Sequence, residues 1–431
     1  MKTVVVIGGG WAGCAASIAA KKAGANVVLI ERTDMLVGLG NVGGIMRNNG
    51  RYTAAEENIY LGASELFEIT DKLSRHKNVN FPGHKHASLY DVAKIEPAVR
   101  KALLDAGVVL RLKSRVKDVE KEGGKITALV AENFDDKQDI RGVGDSFVDA
   151  SGTAGPQGNC LKYGHGCAMC IIRGPKVGQR MSIAGKAGIT EMMGRKADGS
   201  YGAMSGSCKL FKESLSKEIQ DELNSKGVAV IPIPQHLRKS GVLAKKACQQ
   251  YALPEFEQNV ILLDTGHAKL MTPYYPLHNL RQIPGFEDAR FEDPYAGGRA
   301  NSMRYMAVSY RDNHLKVEGV ENLFCGGEKA GLLVGHTEAI VTGYLAGANA
   351  VRYAAGKELI EIPTTLAIGD AIDYVGKQMR TEDGIKFKYT FSGSVYFKRM
   401  QELGLYTTDV AAIKDRVKKA GVEGVYNQKV C

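Results

Sequence analysis

The chain has 431 residues, a formal net charge of +10, 44% hydrophobic residues and 24% charged residues. That balance suits two or three folded domains with a large core and excludes a disordered or fibrous chain. No apolar run approaches roughly 18 residues and residues 1–31 lack a secretion-signal pattern, so no membrane span is expected, and scattered cysteines read as free thiols in a reducing cytoplasm. The chain opens on Val4-Val5-Val6-Ile7, a short apolar strand, followed by Gly8, Gly10 and Gly13 in the spacing G-x-G-x-x-G. A small-residue helix follows from Cys14 to Ala23, then a second apolar strand from Asn26 to Ile30 that ends at Glu31. The first glycine permits a tight turn, the second lets the backbone approach a pyrophosphate, and the third lets the helix pack on the strand. Glu31, 18 residues after Gly13, is placed to accept hydrogen bonds from ribose hydroxyls, with Arg32 beside it. Strand, glycines, helix, strand and acid in that order predict a dinucleotide site.

A glycine-rich loop comes next, with Gly38, Gly40, Gly43 and Gly44. In flavin enzymes of this general build such a loop runs under the pyrophosphate and flavin, because only glycine allows so close a backbone approach. The periodicity predicts helices over 54–76 and 90–104, and strands over 108–119 and 126–132 joined at Gly123-Gly124. Phe147 to Gly152 reads as an apolar strand returning to the first domain, as in two-motif flavoproteins, which favours FAD over NAD.

From Gly155 to about Asn313 glycines and prolines multiply and clear helices thin out, which predicts an inserted cap. Its expected pieces are a helix over 212–226, a strand over 228–233 and a further helix over 240–252. Cys160, Cys167 and Cys170 lie here, with Tyr163-Gly164-His165-Gly166 just before the last two. A C-x-x-C pair can cycle between dithiol and disulfide, which makes Cys167 and Cys170 candidate catalytic thiols beside a flavin. With Cys208 the set would also number four thiolates, but the spacing fits no standard metal pattern, so no metal is expected. Packed thiols are the competing reading. Arg299 and Arg304 could form an anion-binding fork, and His267 and Lys269 could supply acid–base groups in the cap; salt bridging and a satisfied loop histidine are the plainer readings.

Leu323 to Gly327 then reads as a strand delivering Glu328 near a ribityl chain. Gly335-His336-Thr337-Glu338 opens a small-residue helix running to Ala350, its N-terminus placed to favour negative charge on reduced flavin. His336 is a candidate catalytic residue and Thr337 a candidate cofactor contact, the alternative for His336 being a helix-start residue bonded to backbone.

Two stretches carry a family resemblance. Gly8-Gly9-Gly10-Trp11-Ala12-Gly13-Cys14-Ala15-Ala16 resembles the opening of the glucose-inhibited division protein A family, and Gly335-His336-Thr337-Glu338-Ala339 through Gly343 to Ala350 resembles its C-terminal flavin helix. The family includes tRNA uridine-modifying and folate/FAD-dependent tRNA (uracil-5-)-methylating flavoproteins. The resemblance implies FAD as cofactor, with NAD(P)H as a transient electron donor, and opens tRNA as a partner. Those relatives carry a cysteine within a Cys-Asn motif in the loop after the second strand. Here Gly38 to Ile45 has none, so a uracil-attacking thiol is missing at that position.

The expected fold is α/β: a Rossmann-like FAD-binding domain of glutathione-reductase type (1–154 and 314–360), an inserted α+β cap (155–313) and a C-terminal helical segment (361–431). The expected cofactor contacts are Gly8, Gly10, Gly13, Glu31, Arg32, Gly43, Gly44, Gly152, Gly327, Glu328, His336 and Thr337. The expected activity is two-electron transfer through flavin N5 to or from a small substrate or thiol/disulfide. A tRNA-modifying flavoenzyme and a non-catalytic flavin-binding module are the alternatives. No dense basic run accompanies the net charge, and anionic cofactors with solvated lysines account for it more simply than RNA does.

Overall fold

The structure is a computed structural model describing residues 1–153, 181–205, 207–238, 241, 249–272, 275–292 and 302–431. Strand β1 (Thr3–Ile7), helix α1 (Trp11–Lys22) and strand β2 (Asn26–Ile30) follow the predicted order, the helix starting three residues early at Trp11. β1 and β2 sit in a five-stranded sheet with strands Val109–Arg111, Ser146–Asp149 and Leu323–Cys325. Every pairing in this sheet is parallel. The run 108–119 therefore divides: its first part joins this sheet, while Ser114–Glu122 pairs antiparallel with Lys125–Asn133 in a separate three-stranded sheet.

α1 and helix His336–Ala354 lie against one another with almost no side chain between them. A Cβ on Gly343 would collide with the Ala12 carbonyl, and one on Gly347 with that of Ala16. Glycine at those two positions lets the backbones touch, which fixes where the second helix begins relative to the first.

Two expectations fail locally. The segment 54–76 is not one helix: Gly50–Tyr60 ends at Leu61, Gly62 turns the chain with φ +98°, and Glu65–Lys72 forms a second helix. Ser74–Phe81 and His84–Tyr90 then form an antiparallel hairpin, so the helix expected from Tyr90 starts only at Ile95. Strand Ile45–Met46 pairs with the hairpin, and its apolar face, Val79, Phe81, Ala87 and Leu89, packs on cap residues Ile261 and Leu263.

The cap contributes an antiparallel four-stranded sheet with strands Cys208–Leu210, Ala268–Leu270, Asn259–Asp264 and Val228–Pro232 in that spatial order. Helix Lys217–Lys226 lies within the predicted span and starts on a Ser216 side-chain cap. The two strands over 259–270 were not anticipated. Most of the helix expected over 240–252 lies outside the described residues.

The C-terminal segment is helical as expected: Ala367–Gln378, Ser394–Glu402 and Val410–Lys419. It shares the main core with the nucleotide domain. Buried Glu57 accepts from the Ala367 and Ile368 backbone N–H groups, both at 3.0 Å, and pairs with Arg416 at 2.8 Å. No described helix is long and apolar enough to cross a membrane.

Candidate cofactor site

The three glycines after β1 have three different surroundings. A Cβ on Gly8 (φ +95°) would lie 2.5 Å from the Ala150 carbonyl oxygen, and one on Gly13 would collide with the Gly8 carbonyl. A Cβ on Gly10 would meet nothing within 4 Å, and the same holds at Gly152 (φ +70°). Gly8 and Gly13 thus serve packing, whereas Gly10 and Gly152 border open space at the carboxyl ends of the parallel strands, where such sheets bind ligands. That space suits a pyrophosphate.

Beside it Ile7, Gly8, Glu31, Arg32, Arg115 and Ser151 help to line an open pocket. Glu31 is oriented by the Gly9 N–H at 2.6 Å and by the Thr33 N–H and hydroxyl at 2.8 and 2.9 Å. The Arg115 Nε is buried without a hydrogen-bond partner. An acid at the strand end and an orphaned guanidinium nitrogen match the donor and acceptor needs of an adenosine ribose and its neighbouring groups.

At the other end, Glu328 bonds the Thr153 hydroxyl and pairs with Arg304. The Arg304 Nε, again buried, has no partner. Gly327 differs from expectation: at φ +65° its Cβ position points at Ala12, 2.9 Å away, so it serves helix packing rather than an open cofactor face. Thr337 is fully buried, its hydroxyl 3.3 Å from the Met46 sulfur.

The glycine-rich loop forms a four-residue helix, Gly40–Gly43, followed by left-handed Gly44. Gly43 carries no side chain because the His336 imidazole occupies that space, and Gly44 abuts Thr265 of the cap. The loop glycines therefore accommodate protein rather than an exposed cofactor face.

His336 Nδ1 lies 3.3 Å from the Tyr90 hydroxyl, which also bonds the Gly40 carbonyl at 2.7 Å. Burial, then the positive charges of Arg51, Lys269 and Arg304, lower its pKa to about 3. His336 is accordingly a neutral, positioned imidazole at neutral pH, not a proton reservoir. His84 is held the same way: burial and nearby Arg51 lower its pKa to about 3, while the Gln250 carbonyl, a hydrogen-bond partner at 2.9 Å, opposes the shift.

Both histidines have folded pKa values below the unfolded value near 6.5, so the unfolded chain binds more protons and stability falls with pH below that value. The contribution is complete above about pH 6.5 and is lost progressively toward pH 3. Melting curves from pH 7 to pH 4 should fall more steeply for the native chain than for a His84→Gln, His336→Gln double variant. Parallel slopes would refute the assignment.

Cys167 and Cys170, with Cys160 and His165, lie outside the described residues, and so does Arg299. The described cysteines Cys14, Cys208, Cys325 and Cys431 carry no disulfide bond. Burial pushes the Cys14, Cys208 and Cys325 thiols up to about 12, which makes them inert packing groups. Among the described residues no group of three or more His, Cys, Asp or Glu is placed to hold a metal. His267 pairs with Glu292, and Lys269 donates to the Val42 carbonyl at 2.7 Å.

Sequence reasoning missed Tyr90, Arg51, Thr153 and Lys209 as parts of this region. Lys209 carried a readable signal, a lone cation inside a short apolar strand; the others carried none.

Residues 3–155 match the family model of FAD dependent oxidoreductases, and residues 269–358 match that of glucose inhibited division protein A. The fold is similar to that of Aquifex aeolicus GidA, with a TM-score of 0.62 over 97% of this chain and 76% of that one, at 15% identity. The chain thus resembles the GidA/TrmFO-like FAD-dependent oxidoreductases. FAD is its cofactor. This GidA-like chain is also 29% identical over 144 residues to the methylenetetrahydrofolate–tRNA-(uracil-5-)-methyltransferase TrmFO of Anoxybacillus flavithermus, covering 32% of the chain and 29% of that enzyme. It is 34% identical over 121 residues to the tRNA uridine 5-carboxymethylaminomethyl modification enzyme MnmG of Chlorobaculum tepidum, covering 28% of the chain and 19% of that enzyme. These alignments span less than a third of the length of either relative.

Proposed function

We propose that this GidA-like chain is a flavin-dependent enzyme of tRNA modification. The observation that carries the reading is the division protein A match over 269–358, which runs from the cap strand at Lys269 through the helix beginning at His336. Relatives named for tRNA modification support it. FAD, when bound, supplies or accepts two electrons. In this proposal the space beside Gly10 and Gly152 receives the pyrophosphate, and Glu31 and Arg115 the adenosine end. Glu328 and Arg304 form a polar wall, and His336 stands as a neutral hydrogen-bonding group. The missing cysteine in Gly38–Ile45 assigns the chain redox work rather than thiolate attack on uracil.

Binding of labelled tRNA to the FAD-loaded chain should weaken steeply between about 50 and 200 mM salt, as phosphate contacts release counterions. Absence of any salt-sensitive binding would refute the RNA reading. The same lack of a loop thiol also favours a second reading, a small-molecule oxidoreductase, which would show flavin reduction by a small donor with tRNA having no effect.

A further inference from the structure

Two cap lysines stand in an arrangement that local energetics disfavours. Lys209 and Lys269 are directly opposite in the antiparallel pairing of strands Cys208–Leu210 and Ala268–Leu270. Like charges directly opposite repel, and one of these two is buried. Both reach out of the cap to the same place. Lys269 Nζ donates to the Val42 carbonyl at 2.7 Å and Lys209 Nζ to the adjacent Asn41 carbonyl at 3.2 Å. Those carbonyls lie in the four-residue helix Gly40–Gly43, and cations suit the carbonyl end of a helix.

The next residue, Gly43, is in contact with the His336 imidazole, and Tyr90 ties the Gly40 carbonyl to His336 Nδ1. The helix therefore touches both the lysine pair and His336. We infer that Lys209 and Lys269 are positioning residues: from the cap they hold helix Gly40–Gly43 against His336, and so set the imidazole at the start of helix His336–Ala354. The inference rests on the flavin-dependent reading of the site, but it needs no particular substrate.

The chain carries its own reporter. Trp11 is its single tryptophan. It is 3% exposed, its ring centroid lies 6.3 Å from that of His336, and Gly40 has no room for a side chain because the Trp11 indole fills that space. Loosening helix Gly40–Gly43 uncovers Trp11.

The test is acrylamide quenching of Trp11 fluorescence in the full chain, without RNA or other substrate. A Lys209→Met, Lys269→Met double variant should raise the quenching constant at least about twofold through local opening, with unchanged far-UV circular dichroism. Lys269→Arg should match the native chain, because a guanidinium can still donate to Val42. Lys226→Met, which removes an exposed cap lysine paired with Glu222 along its own helix, should do nothing. If the double variant folds poorly, Lys209→Met alone decides, since Lys209 is only half-buried, and it should give a partial rise. Native quenching in either variant overturns the inference, and so does an equal rise in Lys226→Met. Failure of tRNA binding would leave these results untouched, so the two proposals fail separately.

Discussion

A Gly10→Ala variant is expected to keep its melting temperature yet retain less than about a tenth of the FAD that the native chain holds, because the added methyl enters the space a pyrophosphate needs. A Cβ there meets no protein atom within 4 Å, so the fold has no reason to object. Gly13→Ala is the contrasting case. Its methyl would strike the Gly8 carbonyl, and backbone cannot swing aside as a side chain can. Gly13→Ala should therefore lose both stability and FAD. The measurements are flavin absorbance per chain after desalting and a thermal melt of each variant. If Gly10→Ala retains full FAD, the glycine cradle has been misassigned. If Gly13→Ala melts like the native chain, the packing of α1 on β1 has been misread.

Removing one partner of the buried Arg51–Glu338 pair should destabilise the chain by about 3–5 kcal/mol, the usual cost of stranding a buried charge. Arg51 Nε lies 3.1 and 3.0 Å from the two Glu338 oxygens, and the two residues are 3% and 1% exposed. The pair is well satisfied. Arg51 also donates to Asn48 and Thr390, both at 3.1 Å, while Glu338 accepts from the Thr390 hydroxyl at 2.7 Å and the Phe391 N–H at 2.8 Å. Gly335 must lack a side chain because this pair fills the space beside it. The network joins helix Gly50–Tyr60, the first turn of helix His336–Ala354 and the C-terminal segment. Glu338→Ala removes the carboxylate that the buried guanidinium faces and should show the full loss in denaturant unfolding. An Arg51→Met, Glu338→Leu double variant should recover part of it, because no charge is then stranded. A loss below about 1 kcal/mol for Glu338→Ala would mean water reaches the site and replaces the carboxylate.

The linear sequence determined whatever depends on neighbours within about thirty residues. The βαβ unit, its glycines and Glu31 are legible because turn, helix packing and acid are all set by local spacing. The small-residue face of helix His336–Ala354 was legible too, since glycine four residues apart permits only a close helix contact. The hairpin over Ser74–Tyr90 was not. No element is predicted over 77–89, and pairing with strand Ile45–Met46 and packing on the cap strand hold these residues extended.

Tertiary structure alone decided the chemistry around His336. As a helix-start residue it could have been a solvated acid–base group. The arrival of Gly43, Tyr90 and Trp11 takes it largely out of solvent, and the charges of Arg51, Lys269 and Arg304 keep it neutral. Lys209 and Lys269 become one feature only through a strand register that no local pattern specifies. Arg51 and Glu338 are separated by 287 positions in the chain. Glycine spacing is a short-range constraint on the backbone, readable in order. Burial and field at a side chain are sums over whatever the completed fold brings near, and for those the order of residues gives no address.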